Sequence, residues 1–430
     1  MKQRFEKYSH ALAFRAVLSL FDHKWTRLDV LSYIEEYAGI SREEIIGQSL
    51  NSDMTAKLEA CDAIAYLLDQ IVEDLQCGIE PDMVEPVTMC PRPDGMTGKM
   101  RDIACLCLTH QLLGHVVKLG LDPLFRARIL PTQHASIPGR GQTAMVKQVG
   151  RFLRRKSLNI KVAQKTDVNH AYASTQYSVA IGLIEREIPR ARWIVAVMRY
   201  LEKLAPDGHL IIGGYIDAWL FNFVVSYAIR DTLQQGQTRR NVFHAYIVRI
   251  VTYMDDFSLL ARTETGLRKG LAALDRIMRR RFGLTIRETT GVIRFDSVQR
   301  EREKRHAEKR SQRGCPNLDI GGYKVHRTYV TIRPRVVKRA IRTFVRAWSE
   351  IQTTGTIRKQ HAHAITSRYG AVKNTTSKYF IKKYHVMEIV KIAKRVTAFW
   401  GSLDSKNRKE SILYALRKHA IQHAAVAGCA

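Results

Sequence analysis

Apolar residues recur at three- and four-residue spacing through most of the first 88 positions, as in TAKLEACDAIAYLLDQIVEDL (residues 55–75), and this period predicts amphipathic helices. A turn-rich stretch, Pro91–Gly98, then hands Lys99, Met100 and Arg101 to another segment of helical period, IACLCLTHQLLGHVVKLG (103–120). A second loop, Ser136–Gly141, leads into the basic amphipathic run MVKQVGRFLRRK. Between residues 158 and 330 the pattern changes to short β-like runs separated by helices: LNIKVAQKTDV, IVRIVTY, FSLLA, LTIRE and YVTIR. After Pro334, segments such as VKRAIRTFVRAWSEI and YHVMEIVKIAKRVTAFW alternate apolar residues with Lys and Arg at helical period. The run QREREKRHAEKRSQR (299–313) has no apolar stripe and reads as a solvated helix or mobile insertion. No internal repeat is visible, and the predicted class is α+β.

With 430 residues the chain should hold two to four structural units, and 45% hydrophobic residues exclude a mainly disordered basic tail. Seventy Lys and Arg against 40 Asp and Glu give +30, and residues 301–430 alone hold 29 basic and 8 acidic side chains, net +21. A polyanionic partner is expected. The seven cysteines are odd in number and form no C-x2-C pair, which points to a reducing, cytoplasmic compartment rather than to disulfides or zinc. Arg15 interrupts the apolar stretch near the N-terminus and no small-residue cleavage site follows, so no signal peptide is expected. No run approaches the roughly 18 apolar residues of a membrane span. A soluble protein without a membrane partner is expected.

The sharpest chemical signal is Tyr253-Met-Asp-Asp256, between two apolar β-like runs. Adjacent carboxylates held at the tip of such a hairpin repel one another unless a cation neutralises them. Hard oxygen ligands favour magnesium or manganese over zinc, and substrate phosphates complete the coordination of such ions. Asp167, at the end of IKVAQKTDV, is placed to supply a further carboxylate from a neighbouring strand. Asp167, Asp255 and Asp256 together would form a two-metal phosphoryl-transfer site, with Mg2+ in both positions or Mn2+ in its place.

Tyr253-Met-Asp-Asp256 resembles the catalytic tetrapeptide of reverse transcriptases, and Asp167-Val-Asn-His-Ala-Tyr172 resembles that family's first catalytic motif. The resemblance implies that Tyr172 underlies the sugar and excludes a 2′-hydroxyl, and that Met254 belongs to the nucleotide-binding set. Leu210–Asn222 resembles the second motif; Gly213 and Asn222 match it, whereas Ile212 stands where most members have Gln and Asp217 where they have Ser. Ile212 resembles the variant of error-prone, diversity-generating and some defence-associated enzymes; Asp217 has no counterpart that explains it. Gly283–Thr290 resembles the fourth motif, with Thr289 in place of its lysine and Arg287 as an electrostatic substitute. Ile320-Gly-Gly-Tyr-Lys324 resembles the primer-grip hairpin, implying roles for Gly322 and Tyr323. Lys99 and Arg101 would lie over the incoming triphosphate, and Gln133–Ser136 with Gly139–Gln142 resembles the template-contacting loop of bacterial members.

These resemblances imply a right-hand polymerase with fingers, an antiparallel-sheet palm and a helical thumb. Residues 1–89 would form a helical extension, 90–158 with 173–207 the fingers, 159–172 and 208–330 the palm, and 331–430 a basic thumb. The implied activity is RNA-directed DNA synthesis from dNTPs, most like the defence-associated, abortive-infection, retron or diversity-generating enzymes of bacteria. Its partners would be an RNA template, here a dedicated structured non-coding RNA, and the cDNA product; a homo-oligomer is left open. Untemplated or protein-primed DNA synthesis, error-prone reverse transcription, RNA-templated RNA synthesis, and an RNA-binding scaffold with a decayed site are the alternatives.

Overall fold

A computed structural model describes residues 4–50, 54–82, 84–93, 100–307, 315–373 and 378–402. The chain divides into two units, one formed by residues 1–145 with 158–294 and the other by residues 146–157 with 295–430.

The first unit opens with four helices, α1 (His10–Phe21), α2 (Leu28–Ala38), α3 (Arg42–Leu50) and α4 (Thr55–Cys77). Ser9 caps α1, its hydroxyl accepting the Leu12 N–H, and Gly78 ends α4 in the left-handed conformation. The apolar stripe of α1, including Leu12, Ala16, Val17 and Leu20, is buried against α4 and against α5 (Leu108–Arg128). Two strands stand between α4 and α5: β1 (Thr88–Pro93) and β2 (Met100–Cys105), paired antiparallel with Arg92 opposite Arg101. The helical period expected to begin at residue 103 therefore starts only at Leu108. A short apolar run such as IACLC satisfies either period, and pairing with β1 decides it. Pro91 and Pro93 are tolerated because β1 has β2 as its one partner strand among the described residues.

The helix α6 (Gln142–Arg154) starts in the first unit, but from residue 146 onward it belongs to the second. In the first unit, β3 (Val162–Val168) is followed by α7 (Tyr177–Glu187), α8 (Arg192–Leu204) and α9 (Tyr215–Leu233). A separate hairpin, β4 (Gly236–Arg239) and β5 (Val242–Ala245), comes next. Then β6 (Arg249–Tyr253), β7 (Asp256–Ala261), α10 (Glu264–Phe282), β8 (Ile286–Glu288) and β9 (Ile293–Arg294) complete the unit. The main sheet runs β6-β7-β3-β8, with β9 also on β3, and every named pair is antiparallel. Helix α9 is buried along most of its length, and α10 packs on β7 and β3 while α9 reaches β6. The central place of β3 explains why Val162, Ala163, Gln164, Thr166 and Val168 are all buried, with only Lys165 and Asp167 partly exposed.

The second unit contains α11 (Val298–Ala307), an antiparallel sheet of β10 (Leu318–Ile320), β11 (Tyr323–Val325) and β12 (Val330–Ile332), and helices α12 (Pro334–Thr354), α13 (Lys359–Lys373) and α14 (Lys378–Lys383), with residues 386–402 also helical. Its core gathers Phe344, Ala347, Ile365, Val372, Val386 and Ile389. Part of the charged run 299–313 is not a solvated face. Glu301 on α11 is fully buried and accepts the Arg327 N–H (3.0 Å), the Thr328 N–H and the Thr328 hydroxyl (both 2.7 Å). Residues 308–313 of that run lie outside the described residues.

Two imidazoles in α5 make the first unit acid-sensitive. His110 is buried with neither ring nitrogen hydrogen-bonded among the described residues, and His115 is buried and stacked on Tyr215 at 3.9 Å. Burial pushes both down to about 4. Unfolded histidine titrates near 6.5, so the stability present above that pH is lost as pH falls toward the folded value. Between pH 7 and 4.5 the wild type should lose about 4 kcal/mol more than a His110→Leu, His115→Phe double variant. Urea unfolding of the full chain at both pH values measures this, and equal losses would contradict it.

Candidate active site

The hairpin β6–β7 closes through two residues, Met254 and Asp255, between the paired positions Tyr253 and Asp256. Met254 has φ +52 and is the only one of the two central residues with positive φ, the sign pattern of a type II′ turn, where glycine is the usual occupant. A methionine there costs about 1 kcal/mol or more of backbone strain, and side-chain contacts hold it. The Tyr172 hydroxyl and the Asn222 amide each reach its sulfur at 3.8 Å. Asn222 is itself buried and donates to the carbonyls of Ala135 (3.1 Å) and Ala218 (2.9 Å).

The register of β3 on β7 sets Asp167 opposite Asp256, and the Val168 N–H donates to the Asp255 carbonyl at 3.0 Å. Three acids from two distant stretches are thereby brought to one end of the sheet. Asp255 shows the consequence: burial first, then the charges of Asp167 and Asp256, push its carboxyl up to about 6, while Arg101 pulls in the opposite sense. Protein cations answer the other two acids. Lys165 Nζ lies 2.7 Å from Asp256 Oδ1, and Arg287 Nη2 lies 2.9 Å from Asp167 Oδ2. Among the described residues no group of three or more His, Cys, Asp or Glu side chains is gathered to hold a metal ion as the side chains stand. The donor chemistry nevertheless fits a hard divalent cation: carboxylate oxygens, a buried acid whose charge is disfavoured, and two competing ammonium or guanidinium groups already drawn to its neighbours.

A cleft of about 770 Å3 opens over Asp167 and Asp255, with Asp256 beside them outside its lining. Asp167, Asp255, Arg101, Tyr172, Ile212 and Met254 line it, so six of the residues singled out from the sequence share one cavity. Tyr172 is packed ring to ring on Phe221 with centroids 5.7 Å apart. Arg287, also singled out from the sequence, lines the cleft as a seventh. Gly213 has a bracing role: its φ is +112, and a Cβ there would lie 3.0 Å from Ile103 Cγ2 and 3.2 Å from the Ala104 carbonyl oxygen. Lys99 lies outside the described residues. Gly322 and Tyr323 belong to the second unit, where Gly321 and Gly322, both with positive φ, turn β10 into β11; the Tyr323 side chain is buried there.

Some residues took positions that the sequence did not indicate. Gln133 is fully buried and donates to the Asn222 carbonyl (2.7 Å), and Arg140 donates to the carbonyls of Leu130 (2.7 Å) and Gln133 (2.9 Å). Residues 132–134 thus brace α9 and extend β6, with Gln133 bridging Thr252, so Gln133 and Arg140 serve this loop internally. Thr289 gives its N–H to the Lys165 carbonyl at 3.1 Å and so supports β3. Lys165 itself passed unnoticed, although its spacing of two from Asp167 puts both on one face of a strand. A groove of about 1100 Å3 in the second unit is larger than the cleft, but its acid, Glu350, is occupied by Arg358 and His361.

No protein-family model matches the chain, and no curated protein matches its sequence. Function has to be read from the site itself.

Proposed function

We infer that the protein is a nucleotidyltransferase of the reverse-transcriptase type, a DNA polymerase that copies RNA. The observation that carries this reading is the convergence of Asp167 with Asp255 and Asp256 through strand register, which puts Asp167 and Asp255 in a cleft that Tyr172, Ile212 and Arg101 also line. The first unit would correspond to fingers and palm, and the second, whose sequence carries most of the excess positive charge, to a thumb.

Asp167 and Asp255, with Asp256 beside them, would hold Mg2+ or Mn2+. The ions would supply a lowered pKa for the primer 3′-hydroxyl and neutralisation of the triphosphate. The remaining work falls to the chain. Arg101 meets the triphosphate with a guanidinium suited to bidentate contact. Arg287 can exchange its carboxylate partner for the leaving pyrophosphate oxygens, as a charge and not as an acid, because a guanidinium stays protonated. Tyr172, packed against Phe221, would present a fixed surface to the sugar and exclude a 2′-hydroxyl, as the resemblance implies. The basic second unit supplies phosphate contacts to a nucleic-acid duplex.

The template we favour is a dedicated structured RNA and the setting antiphage defence in bacteria, as the resemblance implies. On primed RNA with dNTPs, the Asp255→Ala, Asp256→Ala double variant should incorporate at most about a thousandth of the wild-type rate. Equal incorporation would end the proposal, and DNA covalently attached to the protein and complementary to no RNA would move it to protein-primed, untemplated synthesis. Tyr172→Ala should raise ribonucleotide use relative to deoxynucleotide use by about tenfold or more. An unchanged ratio in competition assays would show that Tyr172 is not the sugar gate.

A further inference from the structure

Asp217 is a charged residue in a place that ordinarily excludes charge. It lies in the first turn of α9 and is wholly buried. One carboxyl oxygen, Oδ1, accepts the Tyr177 hydroxyl at 2.8 Å and the Ile211 N–H at 2.9 Å. The other, Oδ2, is buried without a hydrogen-bond partner among the described residues. Burial pushes the carboxyl up to about 6. Gly214 makes room for it, since a Cβ there would fall inside the carboxyl group. A buried acid with one unanswered oxygen is costly.

What the acid fastens is the wall of the cleft. Ile211 is flanked by Leu210 and Ile212, and all three line the cavity over Asp167 and Asp255. The Leu210 N–H is taken by the Thr175 carbonyl at 2.8 Å. One residue beyond Ile211, the Ile212 carbonyl accepts the Ala104 N–H at 2.8 Å, which ties the loop to β2. Gly213 lets the two backbones close up, because any side chain there would press on Ile103 and Ala104. Three residues back along β2 stands Arg101, which lines the same cleft. A continuous path runs from the Tyr177 hydroxyl through Asp217, the Ile211–Ile212 backbone and Ala104 to Arg101.

We propose that Asp217 is a positioning residue for the incoming nucleotide: by holding the Ile211 N–H it fixes the Leu210–Gly213 wall and, through the Ile212 carbonyl, the strand that carries Arg101. Asp217 touches no substrate. Its role rests on the polymerase reading above, and it accounts for an acid at a position where the family that the sequence resembles carries serine. Two donors converge on Asp217 Oδ1, which calls for an acceptor long enough to reach both. Serine is too short to span from α9 to Ile211 and Tyr177, whereas asparagine offers an oxygen at the same reach.

Asp217→Asn and Asp217→Ala separate the hydrogen bonds from the rest. Asparagine should keep the KM for dNTP within about threefold of wild type, whereas alanine should raise it about tenfold with kcat changed less than about threefold. Combined with Arg101→Ala, the alanine variant should show strong non-additivity, the double KM exceeding the worse single by no more than about threefold. Hydrogen exchange, read without substrate, should accelerate together in residues 103–105 and 209–213 of Asp217→Ala and stay slow in Asp217→Asn. The proposal is overturned if asparagine behaves like alanine, if kcat falls while KM holds, if the Arg101 and Asp217 effects multiply, or if exchange at those two segments is unmoved in alanine. Should alanine fail to fold, the asparagine result decides alone, because a raised KM or lost protection there refutes the hydrogen-bond role. A wild type that incorporates no nucleotide would sink the polymerase reading, while the exchange pattern would still decide whether Asp217 fastens the loop.

Discussion

Like charges crowded by strand register are the constraint around which the first unit is arranged. Once β3 pairs with β7 so that Asp167 faces Asp256, the tip residue Asp255 lies close enough to both for their charges to raise its own carboxyl. The chain does not relax this crowding by a slip of register. A one-residue shift would carry every side chain of β7 to the opposite face and undo the packing of Phe257, Leu259 and Leu260, each fully buried. The repulsion is instead offset at the edges, by Lys165 on Asp256 and Arg287 on Asp167. On the proposed reading, both cations reach acids that a divalent ion would also seek, so such an ion would have to displace them.

Around the acids, the structure places backbone in unusual conformations and holds it there with buried polar groups. Met254 at positive φ is held by Tyr172 and Asn222; Asn222 is braced by Gln133 and Ala135; Gly213 closes on β2 while Asp217 retains the wall behind it. Strain and buried polarity are concentrated where rigidity would matter for holding a reacting pair, which is the usual place for proteins to tolerate them.

The main strands and the acid cluster were readable from the sequence because each rests on a local signal. Alternating apolar runs marked β3, β6, β7, β8 and β12, and the Tyr253–Asp256 tetrapeptide announced its own hairpin. What escaped depended on contacts between distant residues. Strand β2 looked helical because a run of five apolar residues fits either period and only β1 chooses between them. Gln133 and Arg140 lie in a stretch that resembles a template-contacting loop, and nothing local shows that their side chains turn inward to Asn222 and to neighbouring carbonyls. Asp217 had no explanation until the Tyr177 hydroxyl and Ile211 N–H appeared beside it. Glu301 sat in a run without an apolar stripe, and nothing local reveals that three donors from residues 327 and 328 bury it.

The central claim is that the carboxylates of Asp167 and Asp255 form one cation site. Electron paramagnetic resonance of Mn2+ titrated into the full-length protein, without nucleotide, tests it most directly. The account predicts saturable binding that weakens about tenfold or more in Asp167→Asn and likewise in Asp255→Asn, with the double variant no worse than the weaker single. Binding that survives both substitutions, or that is lost from one and untouched by the other, would contradict a shared site.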